Sequence, residues 1–398
     1  MPTPKTGTGP FPLPGEIGTG PFPLASDTNP NRIEDLPSSR PILPRVWVLF
    51  GKGTGGNGQM QSLAEALGWP TEIKRLRHNW LNRLPNLLLG ATSITVDKKK
   101  SSPLAPPWPD VVIAASRRAA PVALWIRKQS GGRTKLVHLL HVQAPLRWFD
   151  LVVTMPQYRL PDADNVLHVT GVLNRIDPAM IEQASAAWRP RLEHLPRPWT
   201  AVLVGGNSSS YLLDRNTATE LARKAAAHVR ERGGSLLVTT SPRTPPEAAE
   251  ALAAAIDVPS YIYVWKPDDA ANNPYKGFLA LADDFVVTVD SASLLVEASA
   301  TGRDVAVYEW PRRGGANDGP QGLEKIVGPA LFARLLWWGL VKPRRDFDAY
   351  HAEMKKRGLA HTLGKPPATE RSPLDDLERT VERIHGLLDF RPGNGHPS

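Results

Sequence analysis

A chain of 398 residues is longer than one hydrophobic core ordinarily serves, so two domains of common size are expected. It contains no cysteine, which excludes disulfides, thiolate metal sites and a cysteine nucleophile and fits a reducing compartment. A formal charge of +9 asks for an anionic partner, and nucleic acid, a phospholipid surface and a diphosphate are the open classes.

Residues 1–42 read as a disordered arm. The heptad Gly-Thr-Gly-Pro-Phe-Pro-Leu occurs at Gly7 to Leu13 and again at Gly18 to Leu24, and recurring proline and glycine deny both helix and sheet. No secretory pattern opens the chain, and no apolar run reaches the roughly 18 residues that span a bilayer. The expected location is cytoplasmic, or peripheral on the cytoplasmic face of the membrane.

Folded structure is predicted from Arg45 to Phe50, a buried strand running into Gly51-Lys52-Gly53-Thr54-Gly55-Gly56-Asn57-Gly58, with helical spacing from Gln59 to Leu67. Glycines at such a junction let a ligand approach the backbone, and a helix start favours an anion. Gly53, Gly55, Gly56 and Gln59 are therefore candidates for an acceptor or phosphate loop. The spacing of Gly51, Gly53 and Gly56 matches the dinucleotide fingerprint only formally, since Glu72 alone stands near the end of the second strand as the acidic partner. A nucleotide-hydrolase loop also fails, because Lys52 is followed by glycine and not by serine or threonine. Between Arg75 and Leu89 basic, aromatic and leucine residues mix, and Lys98-Lys99-Lys100 follows, a composition suited to an anionic lipid surface.

From Asp110 the grammar of strand then helix repeats: a strand at Asp110 to Ala115, a helix at Arg118 to Lys128, then strands at Thr134 to Val142, Phe149 to Thr154 and Asn165 to Gly171. Near-continuous apolar strands separated by helices imply a parallel sheet covered on both faces. Ile176 to Leu195 reads as a connecting helix closed by Pro196 and Pro198. The expected divisions are an N-terminal domain at 43–175, a linker helix at 176–198, a second domain at 199–345, and C-terminal helices at 346–398.

The second domain restarts with a strand at Thr200 to Val204 and the loop Gly205-Gly206-Asn207-Ser208-Ser209-Ser210, then a strand at Ser235 to Thr240 ending in Ser241-Pro242-Arg243-Thr244. Backbone amides, short hydroxyls and a guanidinium at neighbouring strand ends suit a phosphate. Val286 to Tyr308 then reads as strand, polar elbow at Asp290-Ser291, helix, Gly302 and strand. Ser293 and Glu297 stand four apart on that helix, and a carboxylate there suits a vicinal diol such as ribose. A helix-capping role for Ser291 or Ser293 is the alternative.

In this order the Gly-rich loop with Gln59, Phe149-Asp150-Leu151-Val152-Val153, Asn165-Val166 to Gly171, Val204-Gly205-Gly206-Asn207, Thr240 to Thr244, Asn273-Pro274-Tyr275 and Asp290-Ser291 with Glu297-Ala298 resemble the mitochondrial-fission (elongated mitochondria) protein family over about Arg45 to Trp310. That family is in turn similar to glycosyltransferases of the GT-B type. The resemblance implies an α/β fold of two Rossmann-like domains facing a cleft, with a nucleotide sugar held by the second. It matches Gly206, Asn207, Ser208, Ser241 and Arg243 to the diphosphate side, and Ser291, Ser293 and Glu297 to the sugar and ribose side; Gly205 and Ser209 of the same loop complete the nucleotide-sugar candidates. Where many relatives carry a proline, histidine, aspartate cluster, this chain has Pro156-Gln157-Tyr158-Arg159, without an evident general base. His141 and Asn57 are the remaining catalytic candidates.

The resulting expectation is a glycosyltransferase using a nucleotide-diphosphate sugar, with no metal and no further cofactor, and a lipid-linked or cell-envelope acceptor. A non-catalytic membrane-recruitment adaptor is the alternative, and a nicotinamide-dependent sugar-nucleotide epimerase is a third reading. No nucleic acid is expected, because the basic residues are scattered and no binding module is present.

Overall fold

A computed structural model describes residues 43–52, 54–173, 177–208, 210–312, 323–341 and 346–389. The proline- and glycine-rich arm, with the disorder expected of it, lies outside them, as do Gly53 and Ser209. Two sheets of six strands each organise the described chain, and every strand pair in them is parallel.

The first sheet contains β1 (Val46–Phe50), β2 (Thr71–Arg75), β3 (Val111–Ala115), β4 (Lys135–Leu139), β5 (Leu151–Thr154) and β6 (Val166–His168), in the order β2-β1-β3-β4-β5-β6. Helices α1 (Thr54–Leu67), α2 (Asn86–Leu89) and α3 (Ala120–Gln129) belong to this half, and α4 (Pro178–Leu192) leads out of it. The second sheet contains β7 (Trp199–Leu203), β8 (Ser235–Thr239), β9 (Ser260–Tyr263), β10 (Asp284–Thr288), β11 (Asp304–Tyr308) and β12 (His361–Thr362), in the order β12-β11-β10-β7-β8-β9. Its helices are α5 (Arg215–Arg230), α6 (Pro246–Ala255), α7 (Tyr275–Leu281) and α8 (Ala292–Ala300), followed by α9 (Leu323–Val327), α10 (Pro329–Trp337), α11 (Phe347–Lys356) and α12 (Asp376–Leu387).

Central strands β1, β3, β7, β8 and β10 are buried at every residue, as expected for sheets covered on both faces. β2 is the edge of its sheet and shows it, with Lys74 alone buried. Several boundaries differ from the sequence reading. α1 begins at Thr54 and not at Gln59, so the glycines after Gly53 lie inside its first turns. β4 stops at Leu139, because Leu140 adopts a left-handed φ of 70° that no strand continues through. The region expected to hold only C-terminal helices also supplies β12, which extends the second sheet from β11.

The chain order makes a switch point in each sheet. In the first it falls between β1 and β3, whose following connections leave toward opposite edges, and in the second between β7 and β10. Ligands of open α/β sheets bind beyond the carboxyl ends of strands at such points. The apolar core runs from one sheet to the other without a break. α12 returns to the first half, where the Asp376 carboxylate accepts the Thr170 and Gly171 N–H groups at 2.8 and 2.9 Å and His385 packs on Trp69.

Candidate functional site

The two switch points both gather polar side chains and differ in what fills them. In the second sheet, Asp290 is buried just beyond the end of β10. Its carboxylate accepts the Gly206 N–H at 2.9 Å and the Thr288 hydroxyl at 2.8 Å, and lies 2.8 Å from the Arg243 guanidinium. Burial pushes this carboxyl up, while Arg243, Gly206 and Thr288 pull it back. A Cβ on Gly205 would stand 2.2 Å from Asp290 Oδ2, and one on Gly206 would stand 2.1 Å from the Arg243 carbonyl oxygen. Here the protein's own packing demands glycine.

The neighbouring loops are laced together around this carboxylate. Asn207 N–H donates to the Arg243 carbonyl at 2.9 Å, Arg243 Nη1 donates to the Asn207 carbonyl at 3.3 Å, and the Ser241 hydroxyl donates to the Gly205 carbonyl at 2.5 Å. Ser208 N–H donates to the Tyr211 carbonyl, and the Ser208 hydroxyl accepts the Tyr211 N–H. The expected diphosphate residues Gly205, Gly206, Asn207, Ser208, Ser241 and Arg243 therefore do come together. Their backbone amides, however, point into the protein and not outward: Gly205 N–H goes to Thr288, Gly206 N–H to Asp290 and Asn207 N–H to Arg243. The buried Asp290 carboxylate takes the Gly206 donor directly and Thr288, which it also engages, takes that of Gly205, while the Asn207 amide satisfies the Arg243 carbonyl.

At α8 the alternative reading of Ser291 holds in part, since its hydroxyl accepts the Leu294 N–H at 3.4 Å as a cap. Ser293 is half-buried in the first turn. Glu297 Oε2 accepts the Tyr275 hydroxyl at 2.6 Å. Burial and then the Glu297 charge push that hydroxyl well above its usual range, so Tyr275 remains the donor.

The first switch point opens into a cavity of about 1270 Å³. Gly56 and Asn57 line it at the start of α1, and His141 lines it beyond β4. Asn57 closes the loop before α1, donating to the Gly51 carbonyl at 3.1 Å and accepting the Gly51 N–H at 3.2 Å. The His141 ring stacks on Tyr158 at 4.9 Å, with its Nε2 3.3 Å from Gln143 Nε2. Tyr158 belongs to the segment that departs from the family pattern, so that departure puts an aromatic support behind the histidine. Gln59 is turned elsewhere: it is buried, and its Oε1 accepts the Leu173 N–H at 3.4 Å. Gly55 falls in the first turn of α1. Ser210, from the loop between β7 and α5, also lines the cavity.

Sequence reasoning passed over Asp290 as a site residue, along with Tyr275, Arg117 and Arg118. A signal existed for the arginines, since Ser116-Arg117-Arg118 directly follows the buried strand β3, the position that drew attention to Arg243 after β8. Tyr275 stood in one of the segments that carry the family resemblance, but its meeting with Glu297 follows only from how α7 and α8 pack. Among the described residues, no group of three or more His, Asp or Glu side chains is arranged to hold a metal ion.

These features define an α/β protein of two Rossmann-like parallel sheets with a polar constellation at each switch point. The family model described as mitochondrial fission ELM1 matches residues 54–319, about two thirds of the chain, and the protein belongs to that family. It is 30% identical over 221 residues to the mitochondrial fission protein ELM1 of Arabidopsis thaliana, covering 50% of this chain and 51% of that one. The chain thus spans about half the length of this curated relative. An uncharacterised protein of Rickettsia prowazekii is 24% identical over 298 residues, covering 67% of this chain and 83% of its own. Among solved structures, a UDP-GlcNAc 2-epimerase from Neisseria meningitidis bound to UDP-GlcNAc superposes with a TM-score of 0.42 at 10% identity, covering 87% of this chain and 100% of that one.

Proposed function

We propose that the protein is glycosyltransferase-like and moves a sugar from a nucleotide-diphosphate donor to a lipid-linked or cell-envelope acceptor. The observation that supports this reading is the cavity shared by both halves, lined by strand ends of the first sheet and by Ser210 of the second. Open parallel sheets bind ligand at their switch points, and Ser210 brings a loop of the second half to the cavity at the first, which would set a donor held by the second sheet beside an acceptor in that cavity. The donor lies over the ends of β7, β8 and β10. Arg243 is half-exposed while it holds Asp290, so part of its guanidinium faces outward toward the leaving diphosphate. The start of α8 adds its dipole, and both act on charge that grows as the sugar bond breaks. The acceptor hydroxyl enters from the first sheet beside His141, the proposed base.

Exposed Trp80, Leu88 and Ile94, with exposed Arg75, Arg77 and Arg83 nearby in sequence, suit an anionic lipid surface that presents such an acceptor. No helix of the described residues is long and apolar enough to cross a membrane. The same surface, together with membership of a family described by mitochondrial fission, favours a second reading as a non-catalytic adaptor that recruits a partner to a membrane.

Calorimetric titration of uridine, guanosine and thymidine diphosphates is expected to give saturable binding for at least one, weakened about tenfold in Glu297→Gln by loss of charge-assisted hydrogen bonding. Glu297 is the better probe than Arg243, whose removal would strand the buried Asp290 charge. Absence of binding by all three nucleotides removes the transferase reading. A Glu297→Gln protein that keeps its full cellular role points to the adaptor.

A further inference from the structure

The cavity at the first switch point has a chemistry that the proposed transfer does not account for. Its lining holds four permanent cations, Lys52, Arg83, Arg117 and Arg118, and no carboxylate. Arg117 donates to the carbonyls of Leu84, at 2.9 Å, and Asn82, neutral acceptors that leave its charge uncompensated. Among the described residues no ion pair engages any of the four. Burial first, and then the charge of Arg118, hold both His78 and Arg117 below their ordinary values, which puts Arg118 within electrostatic reach of both.

Three further observations converge on the same space. A Cβ on Gly51 or Gly58 would meet nothing within 4 Å, and one on Gly56 would make only ordinary contact with Ala115 at 3.5 Å. Glycine destabilises a helix interior relative to alanine, so Gly56 and Gly58 inside α1 lack the packing reason that Gly205 and Gly206 have. The N-terminal ends of α1 and α3 both border the cavity, and the residue before α3, Ala119, offers no side-chain cap to the amides there. Finally, Ser116, Leu140 and Gln143 line it with left-handed φ values of 72°, 70° and 50°, and backbone strain of this kind concentrates at ligand sites.

We propose that this cavity binds a diphosphate group, with Lys52, Arg83 and Arg118 as its cationic partners and the glycine-rich start of α1 as its backbone cradle. Its size exceeds the roughly 300–1,000 Å³ of ordinary small-molecule pockets, leaving room for whatever the diphosphate is attached to. A nucleoside diphosphate and a lipid diphosphate share this chemistry. The site goes beyond sugar transfer, because an adaptor of the same fold would hold the anion equally.

The test is calorimetric titration of inorganic pyrophosphate into the full chain at fixed ionic strength. Saturable binding is expected, weakened about tenfold or more in the double variant Lys52→Ala, Arg118→Ala by loss of charge-assisted hydrogen bonds. Lys52 and Arg118 are exposed and without ion pairs, so circular dichroism of the double variant should match the parent. Failure of pyrophosphate to saturate the protein, or equal binding by the double variant, overturns the site. Displacement of pyrophosphate by uridine diphosphate assigns the cavity to a nucleotide, and displacement by farnesyl diphosphate alone assigns it to a lipid; either outcome supports it. Pyrophosphate binding in a protein that binds no nucleotide would overturn the transferase reading and leave the diphosphate site standing.

Discussion

His138 and Asp290 are both buried and ionisable, and burial pushes each toward its neutral form, but their partners differ. Asp290 has a guanidinium and two hydrogen-bond donors beside it. His138 has none of these; its Nε2 donates to the Ser116 carbonyl at 3.1 Å and its ring packs on Phe149. Burial lowers it to about 4, while in the unfolded chain it titrates at its ordinary 6.5. Between those values the unfolded chain takes up a proton that the folded protein refuses, so stability falls as pH drops from 6.5 toward 4. The loss is on the order of 3 kcal/mol at full extent. Urea unfolding at pH 7 and pH 4.5 should show this slope in the parent and a shallower one in His138→Gln, and equal slopes would refute the assignment. At the sequence level His138 is hidden inside an apolar strand, while His141, three residues later, is conspicuous because it follows the strand's end.

Glycines divide the same way among the elements. Those after β7 are required by contacts, and those opening α1 are not. Gly205→Ala and Gly206→Ala should each lower stability by about 1–3 kcal/mol, through clashes with Asp290 and the Arg243 carbonyl that a packed interior cannot absorb. Gly58→Ala, in open space within α1, should raise stability by about 0.5–1 kcal/mol as backbone entropy in the unfolded chain falls. Thermal melts of the three variants check both signs together. The central strands were legible because burial on both faces leaves continuous apolar runs with no competing periodicity. The start of α1 was not, because local propensity reads Thr54 to Gly58 as loop, and only packing against the first sheet holds it helical.

At the scale of the molecule, the return of α12 ties the two ends of the fold together. Asp376 accepts two buried backbone N–H groups from Thr170 and Gly171, in the stretch that leaves β6 toward α4. Gly171 itself lies against Val296 of α8, where a Cβ would approach to 2.3 Å, so the same stretch is wedged between both halves. Asp376→Ala would leave two donors unsatisfied and should cost about 2–4 kcal/mol. Hydrogen exchange should then quicken in α12 and α1 while β7, β8 and β10 keep their protection. Uniform quickening across both sheets would instead mean that α12 is no separate latch.

What the residues determined alone is the alternation of buried strand and covering helix, two sheets' worth of it, and the strand-end loops in which polar groups collect. Backbone burial and side-chain period are local properties, and they survive reading one segment at a time. Only the tertiary structure decided that the amides of Gly205, Gly206 and Asn207 turn inward, that Glu297 meets Tyr275, and that Lys52, Arg83, Arg117 and Arg118 surround one cavity without a carboxylate. Each depends on groups far apart in the chain, and whether a charge is answered or left open is a property of distance in space.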